Sequence, residues 1–484
     1  MAGFDIDRRN GAPKYRFIHD RIREEITCGN LAAGTKLPSK RTLAEDLDVS
    51  VNTVERAYGL LVSEGYLVAR QGSGFVVGSG KVDAASIALD EFEPRVSSSN
   101  ASPLLDLRAN KCGLDLFPFD TWARLMRRVL SDSNAALLER MPFNGFLPLR
   151  KAIAAYLFKS KGISVAPSRI VIGPGTEYLY DRLLQLLGSQ SIIAVEDPGY
   201  QKFEKTSRNS ETLWEHVPLD EEGIRLDVLR AGRADTVYVS PANQFPTGVV
   251  MSERRRRDLL IWAEEKPGRY IIEDDYDSEI RHAGRALTPL ISRDKLGRVI
   301  YLNTFSKTLV PSIRIAYMIL PTALMEIYRE ELSFYTCSVS SFEQMALAAF
   351  ISEGYFERHI ARLRRTYGKQ REDLLAVASQ SPLAKISSMF GGEMGTHLLF
   401  HIRTSKSDRQ VKEAALSRGM RLPMLSDYTV RYDAKSAHTI VVNFAALSGA
   451  DVRVGLGILE EVFAEEIAAH YKADRQSACS DCFN

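Results

Sequence analysis

Between residues 170 and 302, five short runs rich in β-branched residues recur, at 170–172, 192–195, 236–239, 270–272 and 299–302, with amphipathic stretches between them. Parallel strands need a crossover long enough to hold a helix, so this alternation confines the chain to a mostly parallel sheet with helices on both faces. The pattern belongs to residues 105–470 and does not reach the N-terminus. Residues 11–78 instead predict three short helices and a small hairpin. Tyr15, Ile18, Ile22 and Ile26 recur at helical spacing until Gly29 and Asn30 end the helix. Ser39 is placed to cap a second helix with Leu43, Ala44 and Leu47 inside, and Ser50 to cap a third carrying Val54, Ala57, Tyr58 and Leu61. Runs at 66–69 and 74–77 read as strands joined by Arg70-Gln71-Gly72-Ser73. Over 79–104 periodicity is lost and Ser, Pro and charge accumulate, which predicts a linker. Residues 471–484 are expected to be a tail.

A length of 484 residues accommodates two or three domains, and 45% hydrophobic with 26% charged residues excludes disorder, collagen and coiled coil as global descriptions. A net charge of +2 gives no general attraction to nucleic acid or membrane, so any such partner must be met by a local patch. No apolar run is long enough to span a bilayer, and no apolar region follows Arg8-Arg9 as a secretory signal would require. A cytoplasmic protein without a membrane partner is expected. Five scattered cysteines do not form a disulfide framework; Cys479 and Cys482 have C-x-x-C spacing but no second ligand pair, so no metal site is expected.

Leu37-Pro38-Ser39-Lys40-Arg41, the stretch from Val49 to Tyr58, Glu64-Gly65-Tyr66-Leu67 and Gly72-Ser73-Gly74-Phe75 together resemble the winged helix-turn-helix of the GntR regulators. The resemblance implies that the third helix enters the major groove by its first turn. Ser50, Asn52 and Thr53 would then reach phosphates or base edges, helped by the helix N-terminus. Ser39, Lys40 and Arg41 would approach the backbone or a guanine, Arg56 would share the surface, and Gln71 and Gly72 in the wing would touch the adjacent groove. Residues 1–78 hold eleven Lys/Arg and ten Asp/Glu, an unusually neutral balance for a DNA reader.

In the large segment, Lys307 stands in Asn303-Thr304-Phe305-Ser306-Lys307, with Arg314 seven residues on. Hydroxyls at Thr304 and Ser306 and the guanidinium of Arg314 can supply phosphate donors around an amine able to react with a carbonyl. This closely resembles the lysine motif of fold-type I aminotransferases, which depend on pyridoxal 5'-phosphate. The resemblance implies a Schiff base between Lys307 and that cofactor. It also implies Asp274 on the pyridine nitrogen, Tyr276 on the 3'-oxygen and Tyr200 stacked on the ring. Gly175, Thr176 and Glu177 open a helix after a strand and form a candidate phosphate cradle. Around Ser240-Pro241-Ala242-Asn243-Gln244-Phe245-Pro246, Asn243 stands where similar regulators carry His, and either Asn243 or Gln244 is a candidate for the 3'-oxygen.

Joined, the two halves resemble the MocR subfamily of GntR regulators: a winged helix-turn-helix linked to an α/β aminotransferase-like domain. That implies a DNA-binding transcriptional regulator with pyridoxal 5'-phosphate on Lys307, a double-stranded operator, a head-to-tail homodimer, and an amine, an amino acid or the cofactor itself as effector. Two other readings stand beside it: a working aminotransferase with an appended DNA domain, and a regulator of vitamin B6 synthesis. Repeated transamination needs a second guanidinium for the substrate carboxylate. Arg421 and Arg431 lie in the right region but match no motif, and 439–445 holds no arginine. That points to sensing with at most slow turnover.

Overall fold

The structure is a computed structural model and describes residues 13–70, 74–78, 104–107, 116–131, 135–206, 211–282, 288–431 and 437–480. The chain divides into two compact units, residues 1–100 and 101–484. Gln71, Gly72, Cys482 and the expected linker, apart from Leu104, lie outside the described residues.

In the first unit α1 (Lys14–Thr27), α2 (Lys40–Asp46) and α3 (Val51–Ser63) precede an antiparallel hairpin of β1 (Leu67–Arg70) and β2 (Gly74–Val77). The serines act as their positions suggest: Ser39 accepts the Thr42 amide at the start of α2, and Ser50 accepts the Thr53 amide at the start of α3. Each cap satisfies an amide that the first helical turn leaves without a partner. Ile18, Ile22, Leu43, Val54, Tyr58 and Leu61 close a small core, capped by Leu67 and Val77 of the hairpin.

The second unit opens with β3 (Leu105–Asp106), α4 (Phe119–Ser131) and α5 (Leu147–Lys161). Strands and helices alternate as far as β9, apart from the β6–β7 hairpin, and two strands then follow without an α-helix between them: β4 (Ile170–Gly173), α6 (Thr176–Leu187), β5 (Ile192–Asp197), α7 (Lys202–Thr206), β6 (Leu213–Asp220), β7 (Gly223–Ile224), α8 (Leu226–Ala231), β8 (Thr236–Val239), α9 (Glu253–Glu264), β9 (Tyr270–Asp274), β10 (Val299–Thr304) and β11 (Ala316–Ile319). These strands form one sheet in the order β4-β11-β10-β9-β8-β5-β6-β7. The block from β10 to β6 is parallel, whereas β11 runs antiparallel to both its neighbours. Strands β4, β8 and β10 are buried along their whole length, which is why they read as continuous apolar runs.

Helices α10 (Thr322–Glu331), α11 (Ser341–Ser352) and α12 (Tyr355–Gln380) follow. Then come β12 (Ser387–Phe390), β13 (His397–Ile402), α13 (Asp408–Leu416), β14 (Met420–Arg421), β15 (Thr439–Asn443), α14 (Gly449–Val462) and α15 (Ala464–Ser480). Strands β12, β13 and β15 make a separate antiparallel sheet. Helix α15 continues past residue 471, where the sequence suggests the start of a tail, as far as Ser480.

Candidate functional site

The parallel strands end on one side of the sheet, and the loops leaving those ends converge on a cavity of about 410 Å³. Open α/β sheets bind ligands outside the carboxyl ends of their strands. Lys307 enters the cavity from the turn between β10 and β11, and Asp274 from the last position of β9. Tyr276, Tyr200, Thr304 and Ser306 line it too, as do Thr176 and Glu177 from the first turn of α6 and Arg314 before β11.

Asp274 is buried, and one of its oxygens is fully engaged: Oδ2 accepts hydrogen bonds from the hydroxyls of Tyr238 and Tyr180, the latter at 3.3 Å. Its Oδ1 is buried without a hydrogen-bond partner among the described residues. Burial pushes the Asp274 carboxyl up to about 6, against the Tyr238 hydrogen bond, which favours the ionised form. Burial likewise lowers the Lys307 amine, and the charges of Asp277 and Asp274 pull it back up. The Lys307 Nζ stands 6.0 Å from the centre of the Tyr276 ring. Tyr276 donates to the Asn243 carbonyl at 3.0 Å and accepts from the Asn243 amide at 3.2 Å.

Glu273, Asp274, Asp275 and Asp277 do not share a single partner. Glu273 accepts the backbone amides of Leu290 and Ile291 at 2.7 and 3.0 Å. Asp275 is neutralised from behind by buried Lys161 of α5 at 2.6 Å, and Asp277 accepts from Asn243 at 2.9 Å. Only Asp274 of the four lines the cavity.

At the cradle, Gly175 caps α6 with φ +105°, and a Cβ there would collide with the Arg314 guanidinium. Arg314 itself holds φ +48°, a left-handed conformation uncommon outside glycine and often found at binding sites. Its guanidinium lies 2.5 Å from Glu177 and 3.3 Å from the Pro174 carbonyl. Lys202 binds the other oxygen of the same carboxylate. Burial alone would raise the Glu177 carboxyl, but its bonds to Lys202 and Arg314 hold it down at about 2. The buried Ser306 Oγ is without a partner among the described residues, while Thr304 Oγ1 accepts the Ser306 amide at 3.1 Å.

In the first unit Ser50 and Asn52 are exposed at the start of α3, and Arg41 is exposed at the start of α2. Lys40 is engaged by Glu55 at 2.5 Å, and the Arg56 guanidinium lies 4.1 Å from the centre of the Tyr15 ring.

Residues 14–77 match the family described as bacterial regulatory proteins, gntR family, and residues 102–387 match aminotransferase class I and II. The chain is 34% identical to the HTH-type transcriptional regulator YdeL of Bacillus subtilis, over 93% of this chain and 97% of that protein. It is 32% identical to the probable rhizopine catabolism regulatory protein MocR of Rhizobium meliloti, over 98% of each. Among solved structures, a multiple substrate aminotransferase of Thermococcus profundus superposes with a TM-score of 0.68 at 26% identity, covering 80% of this chain and 97% of that one. The chain belongs to the MocR subfamily of GntR regulators. It is a transcription regulator with a DNA-binding winged helix-turn-helix and an aminotransferase-fold domain, and no described helix is long and apolar enough to cross a membrane.

Within this MocR-type chain, Lys307, Asp274, Tyr276, Tyr200, Thr176, Glu177, Thr304, Ser306 and Arg314 come together on one cavity. Asn243 does not line it and stands behind Tyr276; Gln244 turns away to Glu196 and the Pro198 carbonyl, at 3.3 and 2.9 Å. Neither Arg421 nor Arg431 lines it: Arg421 pairs with Asp106 at 3.2 Å, and Arg431 is exposed. Sequence reasoning missed Tyr180, Tyr238, His397 and Asn443. Tyr238 lies in the apolar run of β8, where nothing distinguishes its hydroxyl from that of a packed core tyrosine.

Proposed function

We propose that this regulator holds pyridoxal 5'-phosphate at Lys307 and uses it to detect an amino compound, changing its hold on operator DNA. The observation that carries this reading is the bare Oδ1 of Asp274. A buried carboxylate whose other oxygen is saturated by two tyrosines wants a cationic donor, and a protonated pyridine nitrogen is one. The unpartnered Ser306 Oγ, the first amides of α6 and Arg314 suit a phosphate in the same way.

When bound, the cofactor would supply a carbonyl carbon for amine exchange and an electron-accepting ring. The chain's own residues do the rest. Lys307 offers an amine whose proton is loosened by burial, which favours its action as a nucleophile. Asn243 fixes Tyr276, whose hydroxyl would face the 3'-oxygen, and Tyr200 would cover the ring. Two anchors for phosphate and ring leave the remaining wall of the cavity to the effector. The family's head-to-tail homodimer is part of the proposal, and sedimentation of the purified protein tests it.

A second reading, with the cofactor itself as signal, is favoured by Glu177, which an incoming phosphate must displace from Arg314. One experiment separates the two. The purified protein is loaded with pyridoxal phosphate, and the visible absorption of the Lys307-bound cofactor is followed with operator affinity as amines are added. The amine reading expects both to change with amine. The second expects operator affinity to change on loading alone. A Lys307→Ala variant that still retains borohydride-fixed cofactor would overturn both.

A further inference from the structure

Three cationic side chains line the cavity among the described residues: Lys202, Lys307 and Arg314. Lys202 and Arg314 are both turned onto Glu177, and Lys307 is the proposed cofactor lysine. The wall contributed by the C-terminal part of the chain consists of Thr396, His397, Pro423, Tyr428, Val441 and Asn443. None of these is charged near neutral pH. Burial, helped by the Lys307 charge and opposed by a hydrogen bond to Pro246, drives His397 down to about 4.

That last bond also fixes the ring's polarity. Proline has no N–H, so His397 must donate to the Pro246 carbonyl, and its other nitrogen, Nε2, is left as an acceptor. His397 Nε2 and Asn443 Oδ1 are both buried without a partner among the described residues. Two unsatisfied acceptors on one wall repel a carboxylate and reward a donor, because a buried acceptor left bare forfeits the hydrogen bond it had to water.

Resting on the amine-sensing reading above, we infer that the effector is an amine bearing neutral hydrogen-bond donors, hydroxyl or amide, where an ordinary amino acid bears its carboxylate. His397, Val441 and Asn443 are the residues that set this preference. Val441 is packed with Phe245 and Tyr428 on the same wall, so that wall offers shape and acceptors but no clamp.

The test uses full-length protein loaded with pyridoxal phosphate and two matched pairs of probes: serine against 2-amino-1,3-propanediol, and alanine against alaninamide. Calorimetric Kd and the shift of the visible band are measured for each. The carboxylate-free member of each pair should bind at least tenfold tighter. Val441→Arg, which adds a guanidinium to the wall, should reverse that order; Asn443→Asp, a smaller change that keeps the fold in reach, should weaken serine further and the diol less. Tighter or equal binding of serine and alanine overturns the inference and leaves amine sensing standing. If none of the four probes binds although borohydride fixes the cofactor to Lys307, amine sensing and the inference fall together.

Discussion

Arg314 and Glu177 face each other at 2.5 Å across the mouth of the α6 cradle, with Lys202 on the far oxygen of the same carboxylate. The arginine proposed to receive a phosphate is thus already holding an anion supplied by the chain. Any phosphate arriving there competes with Glu177, whose carboxyl is held down at about 2 and is therefore ionised near neutral pH.

Glu177→Gln should therefore tighten binding of pyridoxal phosphate, since the amide keeps the shape but gives up the charge. Arg314 is half-exposed, so solvent screens the pair and the gain should be modest, roughly three- to tenfold. Titration of the cofactor-free protein by absorbance checks this. Unchanged or weaker binding in the variant would show that Glu177 assists the anion instead of competing with it.

Asp274 couples stability to pH in the opposite sense from an ordinary ion-paired carboxylate. Its folded-state value of about 6 lies above its usual 3.8, so the folded protein binds this proton more tightly than the unfolded chain. The resulting stability is complete below about pH 4 and is lost as pH rises through about 6. Asp274→Asn removes the buried charge and should stabilise the cofactor-free protein by roughly 1–3 kcal/mol at pH 8 while weakening cofactor binding at least tenfold. Thermal melts at pH 5 and 8, with and without cofactor, read both effects. A variant equally unstable at both pH values would contradict the burial argument.

Much of this site was legible because each conspicuous motif sits where a strand ends. Lys307 follows β10, Asp274 closes β9 and Gly175 opens α6, so local pattern alone placed them at one edge of the sheet. What stayed hidden depends on distant segments meeting. Lys161 reads as the end of an amphipathic helix, yet it neutralises Asp275, which is 114 residues away. The wall of His397, Val441 and Asn443 belongs to a small antiparallel sheet whose strand β12 alternates only half-buried and exposed residues, too weak a pattern to announce it. The serine caps at Ser39 and Ser50, by contrast, depend on residues three positions away and could be read directly.

On the DNA side, exposed Asn52 and Arg41 should each cost roughly 1–3 kcal/mol of operator affinity when changed to Ala, with relaxed preference at one base position. Lys40 is already paired with Glu55, so Lys40→Ala should cost less. Because residues 1–78 are nearly neutral, non-specific binding should be weak, since that term comes mainly from phosphate neutralisation. Gel-shift competition with unrelated DNA at several salt concentrations measures both. Tight, sequence-indifferent binding at moderate salt would overturn the neutral-surface argument.

The last prediction separates a sensor from a catalyst. Binding an amine at Lys307 requires an electrophilic carbon and room beside it, but sustained transamination also requires the substrate carboxylate to be held while its α-proton is moved. Arg421 is spent on Asp106, Arg431 does not line the cavity, and the lining arginine among the described residues faces Glu177. Turnover with ordinary amino acid and keto acid pairs should therefore stay far below the 1–10³ s⁻¹ typical of enzymes. An amine that binds should instead change operator affinity, and by linkage operator DNA should change the affinity for that amine by the same factor. Equal factors in the two directions, with negligible turnover, mark a regulator. A steady-state rate of enzymatic size for any ordinary pair would make the large unit a working aminotransferase, with the helix-turn-helix as its accessory.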